Sequence, residues 1–315
     1  MRVLFFGTSS FAVPTLQALH DAAPRHAILG VVTQPDRPSG RGMKLQMSPV
    51  KERALELGYE IHQPERVRRK PFPAVVQALA PDALVVVSFG QIIPQSLLDL
   101  PPFGGINVHA SLLPRWRGAA PIHRAIMAGD TETGVATMRM EATLDTGPVF
   151  LVARETIRDD DTTGTLEPRL AALGGPLLVE TLDRLEAGTI LSTPQPDEGM
   201  VYAATVERAD GLLDPLSEEA LTLARRVRGV NPRPGAFLLL DGKPVKVWET
   251  ATEPLSPATP AGTVAAVRKD GILVATKAGG LLLTRVQPEN KAAMSAADYA
   301  RGARLAVGAP ATRPA

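Results

Sequence analysis

The sequence contains no cysteine, which excludes disulfides, thiol nucleophiles and zinc held through cysteine. No stretch approaches the roughly 20 apolar residues of a membrane-crossing helix. The opening Met1-Arg2-Val3-Leu4-Phe5-Phe6-Gly7 is too short an apolar run for a secretory leader and reads as a first buried strand. A cytoplasmic protein without a membrane partner is expected. The turn after that run, Gly7-Thr8-Ser9-Ser10, has one glycine, so a dinucleotide-binding Gly-x-Gly-x-x-Gly is missing. The histidines, at 20, 26, 62, 109 and 123, lack ligand-like spacing, and no metal is expected. Ser111 has no Gly-x-Ser-x-Gly elbow around it, which argues against a serine nucleophile. Internal repeats are absent as well.

What remains is a chain of 315 residues, long for one domain and comfortable for two. Short apolar runs at 1–7, 27–33, 83–88 and 105–108 alternate with helix-like segments at 13–22, 50–57 and 73–80. Strands apolar on both faces and separated by helices predict a parallel sheet covered on both sides. Residues 162–188 read as a pair of helices, with Leu170, Leu173, Leu177, Leu178, Leu182 and Leu185 as core. The stretch around Thr193-Pro194-Gln195-Pro196-Asp197-Glu198-Gly199 has linker composition. Beyond it come a helical segment at 218–228 and five short strand-like runs at 235–240, 244–249, 262–267, 271–275 and 281–286, which suggest a small barrel. The tail 308–315 is expected to fray.

The net charge of +1 hides an asymmetry. Residues 1–207 carry 19 Lys and Arg against 23 Asp and Glu, a net of −4, while residues 208–315 carry 15 against 10, a net of +5. A basic C-terminal part suits a polyanionic partner, although a merely solvated basic surface has the same composition.

The most informative segment is Gly105-Ile106-Asn107-Val108-His109-Ala110-Ser111-Leu112-Leu113-Pro114-Arg115-Trp116-Arg117-Gly118. If 106–109 is extended, Asn107 and His109 lie on one side. An amide donor and a titratable base then share one small volume, as acyl-type transfer requires. Asp145, in Thr143-Leu144-Asp145-Thr146-Gly147-Pro148, completes a possible set. Taken singly, each has a plainer reading: a turn cap for Asn107, a satisfied core histidine for His109, a turn aspartate for Asp145.

These residues resemble the folate-dependent formyltransferase family. The resemblance also rests on Gly7-Thr8 with Phe11-Ala12, Gln34 through Gly42, Gly134 through Thr137, Leu144 through Gly147, Asn231-Pro232 and Pro244 through Trp248. It covers nearly the whole chain. It implies a Rossmann-like α/β catalytic domain with a doubly wound parallel sheet over 1–189, a linker over 190–208, and an OB-like barrel over 209–315. It further implies transfer of the formyl group of 10-formyltetrahydrofolate to the amino group of methionine on initiator methionyl-tRNA. Asn107 would hold the formyl oxygen, His109 would manage the amine proton, and Asp145 would hold His109 in the useful tautomer. Phe89, Gln91, Ile92 and Ile93, with Ser111, Leu112, Leu113 and Pro114, would line the folate pocket. Arg37, Arg41 and Lys44 would meet the acceptor stem, and Arg225, Arg228 and Lys246 other parts of the tRNA. A monomer is expected. Other readings stay open: formylation of a sugar-nucleotide or glycinamide ribonucleotide amine, hydrolysis of the formyl donor, or RNA binding without catalysis.

Overall fold

The computed structural model describes residues 1–39 and 44–314. The chain forms two compact units. Unit 1 takes Met1–Pro121, Glu132–Thr156 and Glu167–Ala203, and unit 2 takes Ile122–Thr131, Ile157–Leu166 and Ala204–Ala315. The last of these crossings, at 203/204, falls inside the expected linker, whereas 122–131 and 157–166 join unit 2 from the middle of the chain.

The first unit is built from β1 (Arg2–Gly7), α1 (Val13–Asp21), β2 (Ala27–Val32), β3 (Arg37–Ser39), β4 (Lys44–Gln46), α2 (Pro49–Glu56), β5 (Ile61–His62), α3 (Phe72–Leu79), β6 (Ala83–Val87), α4 (Gln95–Leu98), β7 (Gly105–His109) and β8 (Arg115–Gly118). Then come α5 (Pro121–Ala128), of which all but Pro121 belongs to unit 2, β9 (Glu132–Arg139), β10 (Val149–Thr156), α6 (Thr163–Glu186) and β11 (Val201–Ala203). The main sheet runs β10-β9-β7-β6-β1-β2-β5. Its five central and outer strands from β7 to β5 are parallel, while β9 and β10 add an antiparallel edge. Leu4 and Phe6 of β1 pack with Phe72 and Val76 of α3, and Val3 and Phe5, on the other face by alternation, are equally buried. Water is thus excluded from both faces, which the continuous apolar runs require.

One sequence expectation changes here. The region 162–188 is one helix, α6, with Pro168 and Pro176 inside it. Gly174 and Gly175 let it press against Thr15, Val108 and Ala18, and that packing outweighs the missing helix hydrogen bonds at the prolines. Separately, β3 pairs antiparallel with β4, Arg37 opposite Gln46. The segment between them, which carries Arg41, lies outside the described residues.

Unit 2 follows with α7 (Ala220–Gly229), β12 (Ala236–Leu240), β13 (Lys243–Glu253), β14 (Thr263–Val267), β15 (Ile272–Ala275), β16 (Gly280–Pro288), β17 (Met294–Ser295), α8 (Ala296–Ala303) and β18 (Ala311–Thr312). The strand order is β14-β15-β16-β13-β12-β18, with β17 on β16, all antiparallel. Bulges at Val247–Glu249 and Glu249–Thr250 increase the coiling of β13. The predicted five runs are β12 to β16. The expected fraying of 308–315 is not observed for its described residues. β18 pairs with β12, while Val264 N–H donates to the Ala309 carbonyl and Ala311 N–H to that of Gly262. Fully buried Ala311 therefore sits between the two ends of the sheet, and edges that would otherwise be exposed are covered. The result is an antiparallel near-barrel.

Candidate active site

In open parallel sheets, ligands bind beyond the carboxyl ends of the strands. β7 delivers Asn107 and His109 to that edge of unit 1, beside the end of β6, where Val86 pairs with Asn107. Both are buried, at 9% and 6% exposure. Among the described residues the Asn107 side chain has no hydrogen-bond partner. The amide is not sealed from solvent, so a donor left open at this strand end is available to a ligand.

His109 is held differently. Its Nε2 lies 2.9 Å from the Trp116 carbonyl. A carbonyl only accepts, so Nε2–H donates and the neutral ring carries its free lone pair on Nδ1. That nitrogen faces Asp145 Oδ2 at 3.7 Å, beyond direct hydrogen-bond distance. The tautomer is thus set by the Trp116 backbone rather than by Asp145. Asp145 in turn accepts from Gly118 N–H at 2.8 Å, which leaves its carboxylate oriented but only partly satisfied. Backbone strain accompanies the arrangement, since Trp116 and Asp145 have φ of 66° and 52°. Such conformations persist only where surrounding contacts enforce them.

Those contacts come from a residue that sequence reasoning missed. Gln195, in the stretch read as linker, donates Nε2–H to the carbonyls of Asp145 at 2.9 Å and Gly147 at 2.7 Å. Its Oε1 accepts from Arg117 Nε at 2.9 Å. Gly147 is also required, because a Cβ there would lie 1.9 Å from the Arg139 carbonyl. β8, which carries Trp116 and Gly118, is paired by β11 from that same stretch.

The proposed folate residues separate into two groups. Phe89 and Ile93 are core, Phe89 stacking edge-on against Phe6 at 5.2 Å. Gln91 is committed to Val67 N–H, the Pro64 carbonyl and Gln34. Ser111 is fully buried and donates to the Arg115 carbonyl at 2.7 Å. Ile92, by contrast, is 83% exposed just past β6, and Leu112, Leu113 and Pro114 are half-buried just past β7. Leu144, in the 142–145 turn that the family resemblance also implies for the folate pocket, is an exposed apolar side chain. An apolar ring system suits the Ile92 and Leu112–Pro114 pair of edges.

The residues nominated for tRNA are mostly engaged within the protein. Arg37 pairs with Glu65 at 2.8 Å on the surface, where such a pair exchanges readily. Lys44 begins β4. In unit 2, Arg225 lies against the Gly129 backbone. Arg228 donates to the Asp161 carbonyl at 2.9 Å, and burial pulls its guanidinium below the usual range. Lys246 donates to the Pro232 carbonyl at 3.1 Å and lies 3.8 Å from the Trp248 ring, with burial lowering its ammonium. Open clefts of about 410 and 400 Å³ in unit 2, one beside Lys243 and Tyr299 and the other beside Phe237 and Lys246, hold no acid–base pair comparable to His109 and Asp145.

Comparison with known proteins agrees with this geometry. The formyl transferase family model matches residues 1–182, and the model of the formyl transferase C-terminal domain matches 205–304. A methionyl-tRNA formyltransferase of Halorhodospira halophila is 49% identical over 98% of this chain and 98% of its own. One of Symbiobacterium thermophilum is 47% identical over 98% of this chain and 94% of its own. The fold is shared with HypX from Aquifex aeolicus, whose crystal structure contains tetrahydrofolic acid. That match has a TM-score of 0.60 at 18% identity, and it covers 95% of this chain but only 47% of the longer one. The chain belongs to the formyl transferase family, among the relatives named methionyl-tRNA formyltransferase.

Proposed function

We propose that this chain moves the formyl group of 10-formyltetrahydrofolate onto the α-amino group of methionine carried by initiator tRNA, in the cytoplasm and as a monomer. The observation that carries the reading is the Asn107 amide, without a partner among the described residues, two residues from a histidine whose free nitrogen faces a carboxylate. Asn107 donates to the formyl oxygen, where negative charge grows as the amine attacks. His109 Nδ1 takes the proton that the attacking nitrogen must lose, and Asp145 balances the imidazolium charge across 3.7 Å. The bond that forms is from the methionine nitrogen to the formyl carbon, and the bond that breaks is from that carbon to the folate nitrogen, which receives the proton. Neither a metal nor a covalent enzyme adduct is needed.

Ile92, Leu112, Leu113 and Pro114 contact the folate, with Phe89, Gln91, Ile93 and Ser111 shaping the pocket from behind. Arg37, Arg41 and Lys44 meet the acceptor end. Arg225, Arg228 and Lys246 support the basic surface of unit 2. Incubation with 10-formyltetrahydrofolate and initiator methionyl-tRNA should yield formyl-methionine on the tRNA. Formate alone, or formylation of a sugar nucleotide or glycinamide ribonucleotide in its place, would move the chain to a sister reaction.

A further inference from the structure

We infer that Gln195 is a positioning residue for this reaction, acting through Asp145. The inference rests on the function proposed above. Two loops frame His109. One, Arg115 to Gly118, supplies the carbonyl that sets its tautomer and the N–H that orients Asp145. The other, Asp145 to Gly147, supplies the carboxylate itself. A single side-chain amide joins the two, through the carbonyls of Asp145 and Gly147 and the Arg117 guanidinium.

The chemistry of the amide suits this post. Only Asn and Gln carry two N–H donors and an acceptor on one planar group. Two carbonyls on one side and a guanidinium on the other use every part of it. The backbone around Gln195 is anchored independently, since Thr193 exchanges both backbone hydrogen bonds with Val149 at 2.8 Å. The amide therefore has a rigid base from which to hold Asp145 at its left-handed φ of 52°. Without it, the turn can relax to a commoner conformation and carry the carboxylate away from Nδ1.

Gln195→Leu should lower kcat by about ten- to a hundredfold, the size expected for a misplaced catalytic group. KM for either substrate should change by less than about twofold, because the loss is confined to the transition state. In an Asp145→Asn background the same substitution should cost less than about twofold more, since residues acting as one unit are not additive. Gln195→Glu keeps the Arg117 contact but turns a carboxylate toward two carbonyls; it should lose kcat equally, and it carries the test if the leucine variant folds poorly. Hydrogen exchange over 143–149 should speed up in either variant. An unchanged kcat in a folded variant, an equal loss in both backgrounds, or unchanged exchange would overturn the assignment. If the wild-type chain itself forms no formyl-methionyl-tRNA, the functional reading fails, and exchange alone then decides whether Gln195 holds the turn.

Discussion

The carboxyl end of β7 and the basic surface of unit 2 treat polar groups in opposite ways. At β7, burial is high and partners are withheld: Asn107 has none among the described residues, and His109 keeps Nδ1 free. In unit 2, positive charge is plentiful and several of its cations are already engaged, Arg228 with the Asp161 carbonyl, Arg226 with Glu218, and Lys246 with Pro232 and Trp248. Counting charges favours the second region as a binding site. Counting open valences favours the first. A donor left open at a largely buried strand end is unusual, and so it is the more informative signal.

The comparison breaks most visibly at Asn107. Asn107→Ala should reduce kcat by about 10²–10³ while leaving tRNA affinity and thermal stability unchanged or slightly improved. A drop in Tm would mean that the amide has a structural partner. Asp145→Asn should follow, keeping the turn and the Gly118 contact but losing the charge opposite Nδ1, with a loss of about 10²-fold in kcat measured at saturating substrates. Arg228→Ala should instead lower stability by about 1 kcal/mol through the orphaned Asp161 carbonyl, read by urea denaturation, with kcat for formyl transfer retained. Loss of tRNA affinity without loss of stability would show that Arg228 is a contact after all.

The smallest effect concerns pH. Burial, then the charge of Arg124, pushes His123 below the ordinary imidazole range, against Asp210. A histidine with a depressed folded pKa favours the fold when neutral. Its contribution is therefore full above the unfolded imidazole range and is lost as pH falls from there through the folded pKa. Melting temperatures measured downward from pH 8 should decline, and His123→Asn should flatten part of that slope. His26 is depressed in the same direction and accounts for a share that should remain.

Much of the fold was legible because it is written in continuous runs. β1, β2 and β6 are apolar on both faces, and the barrel strands are short, apolar and regularly spaced. β9 was not, because Thr133, Gly134 and Thr137 break the apolar pattern although all three are buried. Thr137 is satisfied by Thr181 from distant α6, a pairing no local window reveals. The same holds at the site. Asn107 and His109 are two residues apart and readable as a pair, and Asp145 could be set beside them as a possible third member whose role came from the family resemblance. Gln195 leaves no periodic trace, since its role lies in reaching carbonyls 48 and 50 residues away.

The interleaved course of the chain has a consequence for taking the molecule apart. Unit 2 uses Arg124, which pairs with Asp210 at 2.9 Å, and Thr163, which donates to the Gly229 carbonyl at 2.7 Å. Both lie far upstream of residue 204. A fragment cut at the linker would leave Asp210 and Gly229 without them, so a gene boundary placed there does not coincide with a folding boundary. The two family models can be drawn as separate beads on the sequence, but shuffling the second onto another protein would require it to find substitutes for two borrowed segments. Such a part is modular in its alignment and indivisible in its thermodynamics.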